Sequence, residues 1–196
     1  MELILVRHGR PERDDNSSDP ALNDLGHRQA QAVSQYLQGE QIDQVLSSTM
    51  VRARQTAEPL AEALGIDLVQ RDDLREVDDH RDQYIPGEEM TPESDFVKAF
   101  LEDPHFLFAD HGGWGPWKAR ITTTFDDIIN SHRGQRVAVF CHGVVMATFF
   151  CTVMGTEDAF AVSVDYTGIT RAKGNSGGLR SIQSWNETAH VREMLT

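Results

Sequence analysis

The chain has 196 residues, 39% of them hydrophobic and 25% charged, a composition typical of one soluble globular domain. Its 31 acidic residues outnumber 18 basic ones, for a formal net charge of -13, which excludes nucleic acid and anionic membrane as expected partners because both attract basic surfaces. A small phosphorylated ligand stays compatible with this charge, since a few arginines can form a local positive pocket.

The apolar segments are too short to direct the chain to a membrane. The first, at 3–6, is flanked by Glu2 and Arg7, unlike a signal peptide, and no later run approaches the length of a membrane span. The two cysteines, Cys141 and Cys151, have no spacing that indicates a disulfide framework or a metal site. We therefore expect a cytoplasmic protein with reduced thiols.

The N-terminal part of the chain alternates between strands and helices. A short strand at 2–6 is followed by a helical stripe that ends at Gly39 and by a second strand at 45–46. A second helical stripe ends at Gly65, and a third strand follows at 66–69. This alternation predicts a parallel sheet with helices on its faces.

The middle of the chain, 72–115, differs because acids, histidines, prolines and glycines interrupt it, with one helix start at 91–93. Long irregular stretches inside a domain are typical of binding loops, so we interpret this one as a lid. Regular structure resumes with a helix from Pro116, a buried strand at 136–141 and a nearly all-apolar helix from Val144.

Three more strands are predicted at 161–165, 169–173 and 179–185, joined by turns that contain glycine, which indicates an antiparallel edge. The predicted fold is thus α/β, a three-layer α/β/α sandwich whose mostly parallel central sheet has an antiparallel edge and an inserted lid. We treat 1–196 as a single domain in which 72–115 is the lid.

Two of the predicted parallel strands end in a His-Gly pair, at His8 and at His142. Ligands bind outside the carboxyl ends of such strands, so both imidazoles can converge on one small ligand. Arg7 precedes the first histidine, and Arg52 lies on the first turn of the helix after the second strand. One guanidinium group can bind two phosphate oxygens at once, and backbone amides at a helix start add to the attraction for an anion. The pattern predicts a phosphate site.

These residues belong to four short blocks that occur in a fixed order. The blocks are Leu5-Val6-Arg7-His8-Gly9, the run 47–57 (SSTMVRARQTA), Leu74-Arg75-Glu76 and His142-Gly143, and the chain closes with 185–190 (WNETAH). Together they resemble the signature of the histidine phosphatase superfamily, which includes the cofactor-dependent phosphoglycerate mutases. The resemblance covers nearly the whole chain.

The resemblance implies a phosphatase that hydrolyses a phosphate monoester through a phosphohistidine intermediate. In that reading His8 is the nucleophile, and Arg7, Arg52 and His142 hold the phosphate oxygens and stabilise the transition state. Neither a metal nor another cofactor is implied, because fixed cationic side chains take the place of a metal. The implied partner is a small phosphorylated substrate, and a homodimer is compatible with the family.

The proton donor and the substrate contacts are less closely defined. Glu76 is the residue that the resemblance assigns as general acid and base, but the segment after it lacks the Trp-Glu-Gly of many relatives. Asp78 and Asp79 are therefore alternatives. Arg10 follows the first block, where the family often has an acid, and is assigned to substrate binding. Further candidates for the substrate entrance are Arg13, His80, Arg81 and Trp114.

Three other interpretations were weighed against this one. A phosphoglycerate mutase would share every catalytic residue but typically has a longer chain. A non-catalytic module that binds a phosphorylated ligand would not need all five site roles, and candidates for all five are present. A divalent metal site is disfavoured, because these acids and histidines match no tight ligand spacing: Asp78, Asp79, His80, His105, Asp110 and His111. The sequence does not identify the substrate.

Overall fold

A central β-sheet lies between two layers of helices; the computed structural model describes residues 1–13, 17–80, 84 and 91–195. The strands within these residues are β1 (Glu2–Arg7), β2 (Gln44–Ser48), β3 (Leu68–Arg71), β4 (Arg136–Cys141), β5 (Ile169–Gly174) and β6 (Arg180–Glu187). The α-helices are α1 (Asp24–Leu37), α2 (Val51–Leu64), α3 (Asp95–Glu102), α4 (Trp114–Ser131) and α5 (Gly143–Met154). Short 3-10 helices occupy Asp72–Leu74, Pro104–His111 and Ala189–Met194.

The strand order in the sheet is β3-β2-β4-β1-β5-β6. The first four strands in this order run parallel, β5 is antiparallel to β1, and β6 is antiparallel to β5. This arrangement confirms the predicted mostly parallel sheet with an antiparallel edge. β4 comes late in the chain but lies between β2 and β1, and its Cys141 is opposite Arg7 in the parallel register.

Alternate side chains of each central strand enter different apolar layers. Leu3 and Leu5 pack with α4 and α5 residues on one face, where Trp117 is buried. Ile4 and Val6 pack on the other face with α1 and α2. Burying one side chain of this size stabilises the fold by about 1.5–3 kcal/mol. The sandwich of three layers is therefore confirmed, and its two cores hold the sheet's carboxyl edge in place.

Several predicted elements differ from those in the structure. β3 begins at Leu68 rather than at 66, and α3 begins at Asp95 because the Ser94 side chain caps it by accepting from the Val97 N–H. The run 161–165 is not a strand, so that prediction was wrong. Its carbonyl groups accept from side chains instead: that of Ser163 from Trp185 and that of Val164 from Arg7.

The described part of 72–115 contains α3 and two of the 3-10 helices. Leu107 and Phe108 of this region are buried against the core that includes Trp117. The division into one domain with 72–115 as its lid stays a prediction. In the described part of the chain, no helix is both long and apolar enough to cross a bilayer.

A close backbone approach joins the start of α1 to the loop after β1. A Cβ on Gly9 would lie 2.7 Å from the Gly26 carbonyl oxygen, and a Cβ on Gly26 would clash with the Arg10 carbonyl oxygen. Both contacts are with backbone, which cannot move as a flexible side chain does. Glycine is required here because two chain segments touch.

Gly26→Ala is therefore expected to lower the free energy of unfolding by about 1–3 kcal/mol. Gly39→Ala is the matched control, since a Cβ there meets no atom within 4 Å. The control should change stability by less than about 1 kcal/mol. Urea denaturation of both variants measures the difference, and equal stabilities would show that the approach of α1 to the loop is not tight.

Candidate active site

The structure brings His8 and His142 together at the carboxyl edge of the sheet. β1 and β4 are parallel neighbours, and the His8 N–H continues their ladder by donating to the Cys141 carbonyl at 3.0 Å. The two imidazole centroids are 5.2 Å apart. Each histidine directly follows its strand, so the register of the two strands fixes the separation of the rings.

The ring of His8 is held in one tautomer. Its Nδ1 lies 2.8 Å from the Gly9 carbonyl oxygen, which can only accept, so Nδ1 carries the proton and Nε2 a lone pair. Burial, reinforced by Arg52 and Arg7, holds the pKa of His8 well below its usual value. A neutral imidazole with a free lone pair is the form that can act as a nucleophile.

Thr56 links the His8 loop to α2. Its hydroxyl accepts from the Gly9 N–H at 2.9 Å and donates to the Arg52 carbonyl at 2.7 Å. The loop and the arginine-bearing helix are thus joined through one buried side chain. Thr56 lies within the second block of the sequence, but the pattern of that block alone indicates no role for it. Its position one helical turn after Arg52 was the available signal.

Arg52 is fully buried, and several groups fix its guanidinium. Nη1 donates to the Ser18 carbonyl at 3.0 Å, Nη2 pairs with Asp78 at 3.0 Å, and the Tyr84 ring centroid is 4.7 Å from Cζ. A buried charge normally needs a partner, and Asp78 supplies one here. The pairing shows that Asp78 holds Arg52 in position.

Carboxylates occupy the starts of both helices at this edge. Asp19 accepts from the Val51 N–H at the start of α2, at 2.9 and 3.0 Å, and Glu76 accepts from the Val144 N–H near the start of α5, at 2.9 Å. The sequence predicts that the α2 amides attract the ligand, but Asp19 already accepts from the first of them. The sequence does not indicate this role for Asp19, because the residue lies in a charged loop whose composition is typical of solvated surface.

Glu76 is the acid whose environment departs most from that of a surface carboxyl. It is only 7% exposed, and burial together with neighbouring Asp78 raises its pKa to about 7. Asp78 also lines the cavity but is paired with Arg52, and Asp79 is paired with Arg75 at 3.0 Å. Of the three acids named from the sequence, the geometry therefore favours Glu76 as the one that can carry a proton near neutral pH.

Buried nitrogen atoms on two residues near His8 have no hydrogen-bond partner among the described residues. They are both ring nitrogens of His142 and Nε of Arg52. Burial, together with the charges of Arg52, His8 and Arg7, lowers the pKa of His142 well below its usual value. Buried polar atoms are nearly always paired, so a group of unpaired ones beside His8 indicates the place of a ligand with acceptor oxygens.

Arg7 lines the same cavity, and its guanidinium is fixed from two sides. Nη1 donates to the Val164 carbonyl at 2.6 Å, and Cζ lies 4.2 Å from the centroid of the Tyr166 ring. Tyr166 also faces His8, with 5.7 Å between ring centroids. Nothing in the sequence pattern distinguishes Tyr166, which precedes β5 in a turn.

None of the other residues assigned to the substrate entrance is among the described residues that line this cavity. Arg10, Arg13 and His80 are exposed, and the indole N–H of Trp114 donates to Glu157 at 2.6 Å. Arg81 lies outside the described residues. The assignment of Arg10 to substrate binding stays a prediction.

A cavity of about 450 Å³ opens beside His8. His8, Arg7, Arg52 and Glu76 form one end of it, and apolar side chains from α3, α5 and the loop after α5 form the rest. Pockets of this size accommodate small organic ligands. The polar end makes up only a small part of the cavity, so a phosphate group alone would leave most of its space unfilled.

One cluster has the atoms to hold a metal ion. Ligand atoms of Asp79, His80 and His111 lie within 4.8 Å of one another. However, His111 Nε2 is 3.0 Å from the Val77 carbonyl and must donate to it, while Arg75 already neutralises Asp79. A metal ligand needs a lone pair that this nitrogen does not offer, so the cluster fits a metal poorly. The expectation of no metal stays a prediction.

Comparison with known proteins identifies the family of the chain. A family model described as the histidine phosphatase superfamily (branch 1) matches residues 3–188. Phosphoserine phosphatase 1 of Hydrogenobacter thermophilus is 28% identical over 165 residues, 80% of this chain and 78% of that protein. Phosphoglycerate mutase-like protein 4 of Arabidopsis thaliana is 29% identical over 204 residues, 98% of this chain and 87% of that protein.

Solved structures share the fold. A phosphoserine phosphatase mutant from Entamoeba histolytica, in complex with phosphoserine, superposes with a TM-score of 0.79 at 22% identity, covering 97% of this chain and 98% of that one. The match of the family model runs through every strand from β1 to β6, including the two that carry His8 and His142. The chain therefore belongs to branch 1 of the histidine phosphatase superfamily.

Proposed function

We propose that the chain is a phosphatase that hydrolyses a phosphate monoester through a phosphohistidine on His8, without a metal. One observation carries the proposal: the lone pair of His8 Nε2 lies beside buried, unpartnered nitrogens of His142 and Arg52. A phosphoryl group between them would accept from Arg52 Nε and from the single ring N–H of neutral His142, and would present phosphorus to Nε2 of His8. The superfamily and its phosphatase relatives support the same reaction.

In the first step His8 Nε2 attacks phosphorus, a P–N bond forms, and the P–O bond to the alcohol breaks. Arg7, Arg52 and His142 bind the equatorial oxygens, where charge develops in the transition state. Glu76, protonated because its pKa is raised to about 7, gives its proton to the leaving oxygen. The products are the alcohol and phosphohistidine.

In the second step water attacks phosphorus and the P–N bond breaks. Glu76, now ionised, takes a proton from the water, which restores its acid form. The Gly9 carbonyl keeps the proton on Nδ1 of His8 throughout, so the bonding electrons return to Nε2 and the free enzyme is regenerated. Inorganic phosphate then leaves through the cavity.

A mutase would use the same groups, so the two reactions must be separated by assay. We expect the full-length protein to release inorganic phosphate from phenyl phosphate over many turnovers. Isomerisation of 3-phosphoglycerate with a bisphosphorylated primer should be slower than that release. Isomerisation that outpaces phosphate release would favour the mutase. Saturable phosphate binding with turnover of neither substrate would favour a binding module.

A further inference from the structure

Most of the cavity wall beyond the phosphate end is apolar. We call this part the apolar chamber, and its wall is formed by Phe96, Val97, Phe100, Ala147, Phe160 and Val162. Three of these residues come from α3, one from α5 and two from the loop after α5. The chamber is continuous with His8 and Glu76, so it lies where the alcohol part of a bound phosphate monoester must extend.

Aromatic contacts hold the wall of the apolar chamber in place. Phe100 and Phe160 meet edge to face with 4.6 Å between ring centroids, and Phe160 in turn lies 6.1 Å from the buried ring of Phe108. Edge-to-face aromatic pairs add about 0.5–1.5 kcal/mol beyond their burial. α3 is therefore tied through Phe160 to the core and holds its apolar face toward the cavity.

The charges around the cavity do not suit an acidic alcohol part. Among the described residues that line it, only Arg7 and Arg52 are basic, and both lie at the phosphate end. Arg52 is already paired with Asp78, and Glu76 adds a further acid. A carboxylate placed in the apolar chamber would lose its hydration without meeting a cation from the described residues there, which is strongly unfavourable.

We infer that the substrate is a phosphate monoester of an uncharged, apolar alcohol, aryl or branched alkyl, whose hydrocarbon part fills the apolar chamber. The inference rests on the proposed function, since it assigns the leaving-group side of the same site. It separates this chain from a preference for phosphoserine or phosphoglycerate, which both carry a carboxylate beside the phosphate.

A matched pair of substrates tests it. 2-Phenylethyl phosphate and its 4-carboxy derivative have leaving groups of nearly equal basicity but differ by one carboxylate. We expect kcat/KM to be higher for the uncharged compound by at least about 10-fold, the least discrimination that an apolar pocket gives for one group. Equal values, or faster turnover of the carboxylate, would overturn the inference while leaving the phosphatase proposal intact.

Two lysine variants on α3 locate the effect. Phe100→Lys puts a cation into the apolar chamber and should reduce the preference at least about 10-fold. Leu101→Lys, on the same helix but 73% exposed and outside the cavity wall, should leave it within roughly twofold. A preference that Phe100→Lys leaves unchanged in a folded protein, or that Leu101→Lys alters as much, would contradict the assignment of the chamber.

A binding measurement keeps the two proposals distinguishable. The His8→Ala protein should bind 2-phenylethyl phosphate at least about 10-fold more tightly than its 4-carboxy derivative in calorimetric titrations. This outcome supports the inference even if the unaltered protein turns over neither compound, a result that would reject only the phosphatase proposal. Tighter binding of the carboxylate, or equal binding, would reject the inference itself.

Discussion

Turnover of phenyl phosphate by the His8→Ala protein is expected to fall at least about 10⁴-fold, because removing a nucleophile removes the covalent route and not only one contact. No other described side chain at the phosphate end offers a nitrogen lone pair held in the same way. His142 is fully buried, and among the described residues neither of its ring nitrogens has a hydrogen bond that fixes a tautomer. Steady-state release of phosphate measures the loss.

The covalent intermediate gives this prediction a second readout. Brief incubation with ³²P-labelled substrate should label the unaltered protein, and the label should be lost in acid and kept in alkali, as a phosphoramidate requires. The His8→Ala protein should take up none. His27→Ala is the control, since His27 is exposed on α1 and should keep both activity and label. Label that persists without His8 would assign the nucleophile elsewhere.

Glu76→Gln is expected to have the second largest effect, and its size should depend on the leaving group. An alkyl alcohol cannot leave without a proton, so its phosphate should lose about 10²- to 10⁴-fold in kcat/KM. 4-Nitrophenol leaves readily as an anion, and its phosphate should lose far less. The difference between the two losses identifies the proton donor independently of any effect on binding.

Two aspartate variants are the matched controls for Glu76. Asp79→Asn removes an acid that is paired with Arg75, and it should reduce both substrates equally or not at all. Asp78→Asn frees a buried arginine of its partner, so well below pH 7, where Glu76 stays protonated, it should affect both substrates alike through phosphate binding. A loss that depends on the leaving group in either aspartate variant, and not in Glu76→Gln, would move the role of the acid to that aspartate.

The pH dependence follows from the same raised pKa. Burial and Asp78 raise the pKa of Glu76 to about 7, so the protonated form that donates is lost as the pH rises through that value. kcat/KM for an alkyl phosphate should therefore fall on the alkaline side of about pH 7. Glu76→Gln should lack this decline, whereas ionisation of the substrate remains the same for both proteins and cancels in the comparison.

Much of the fold could be predicted because the strands of a parallel sheet and their crossover helices have distinct periodicities. The runs that became β1, β4 and α5 are nearly continuous apolar segments, and each ends at a His-Gly pair or a glycine cap. The run 161–165 was wrongly predicted as a strand because its apolar and polar residues alternate. The same alternation also occurs in an irregular segment whose carbonyl groups accept hydrogen bonds from side chains.

The candidate site could be predicted only in part. His8, His142 and Arg52 stand at the ends of predicted elements, so the topology alone places them at one edge. Asp19 and Tyr166 come from loops, where no periodicity reports which way a side chain points. Their contacts with α2 and with Arg7 depend on loop conformations that three-dimensional packing decides.

The position of β4 has a consequence for how the chain is made. Both hydrogen-bonded neighbours of β1, namely β4 and β5, come from residues after 135, so β1 has no partner in the sheet until those residues have been synthesised. Contacts between such distant segments form late and slowly. A nascent chain that stops short of β4 therefore contains His8 but not His142, and phosphate-binding capacity arises only after β4 has been made.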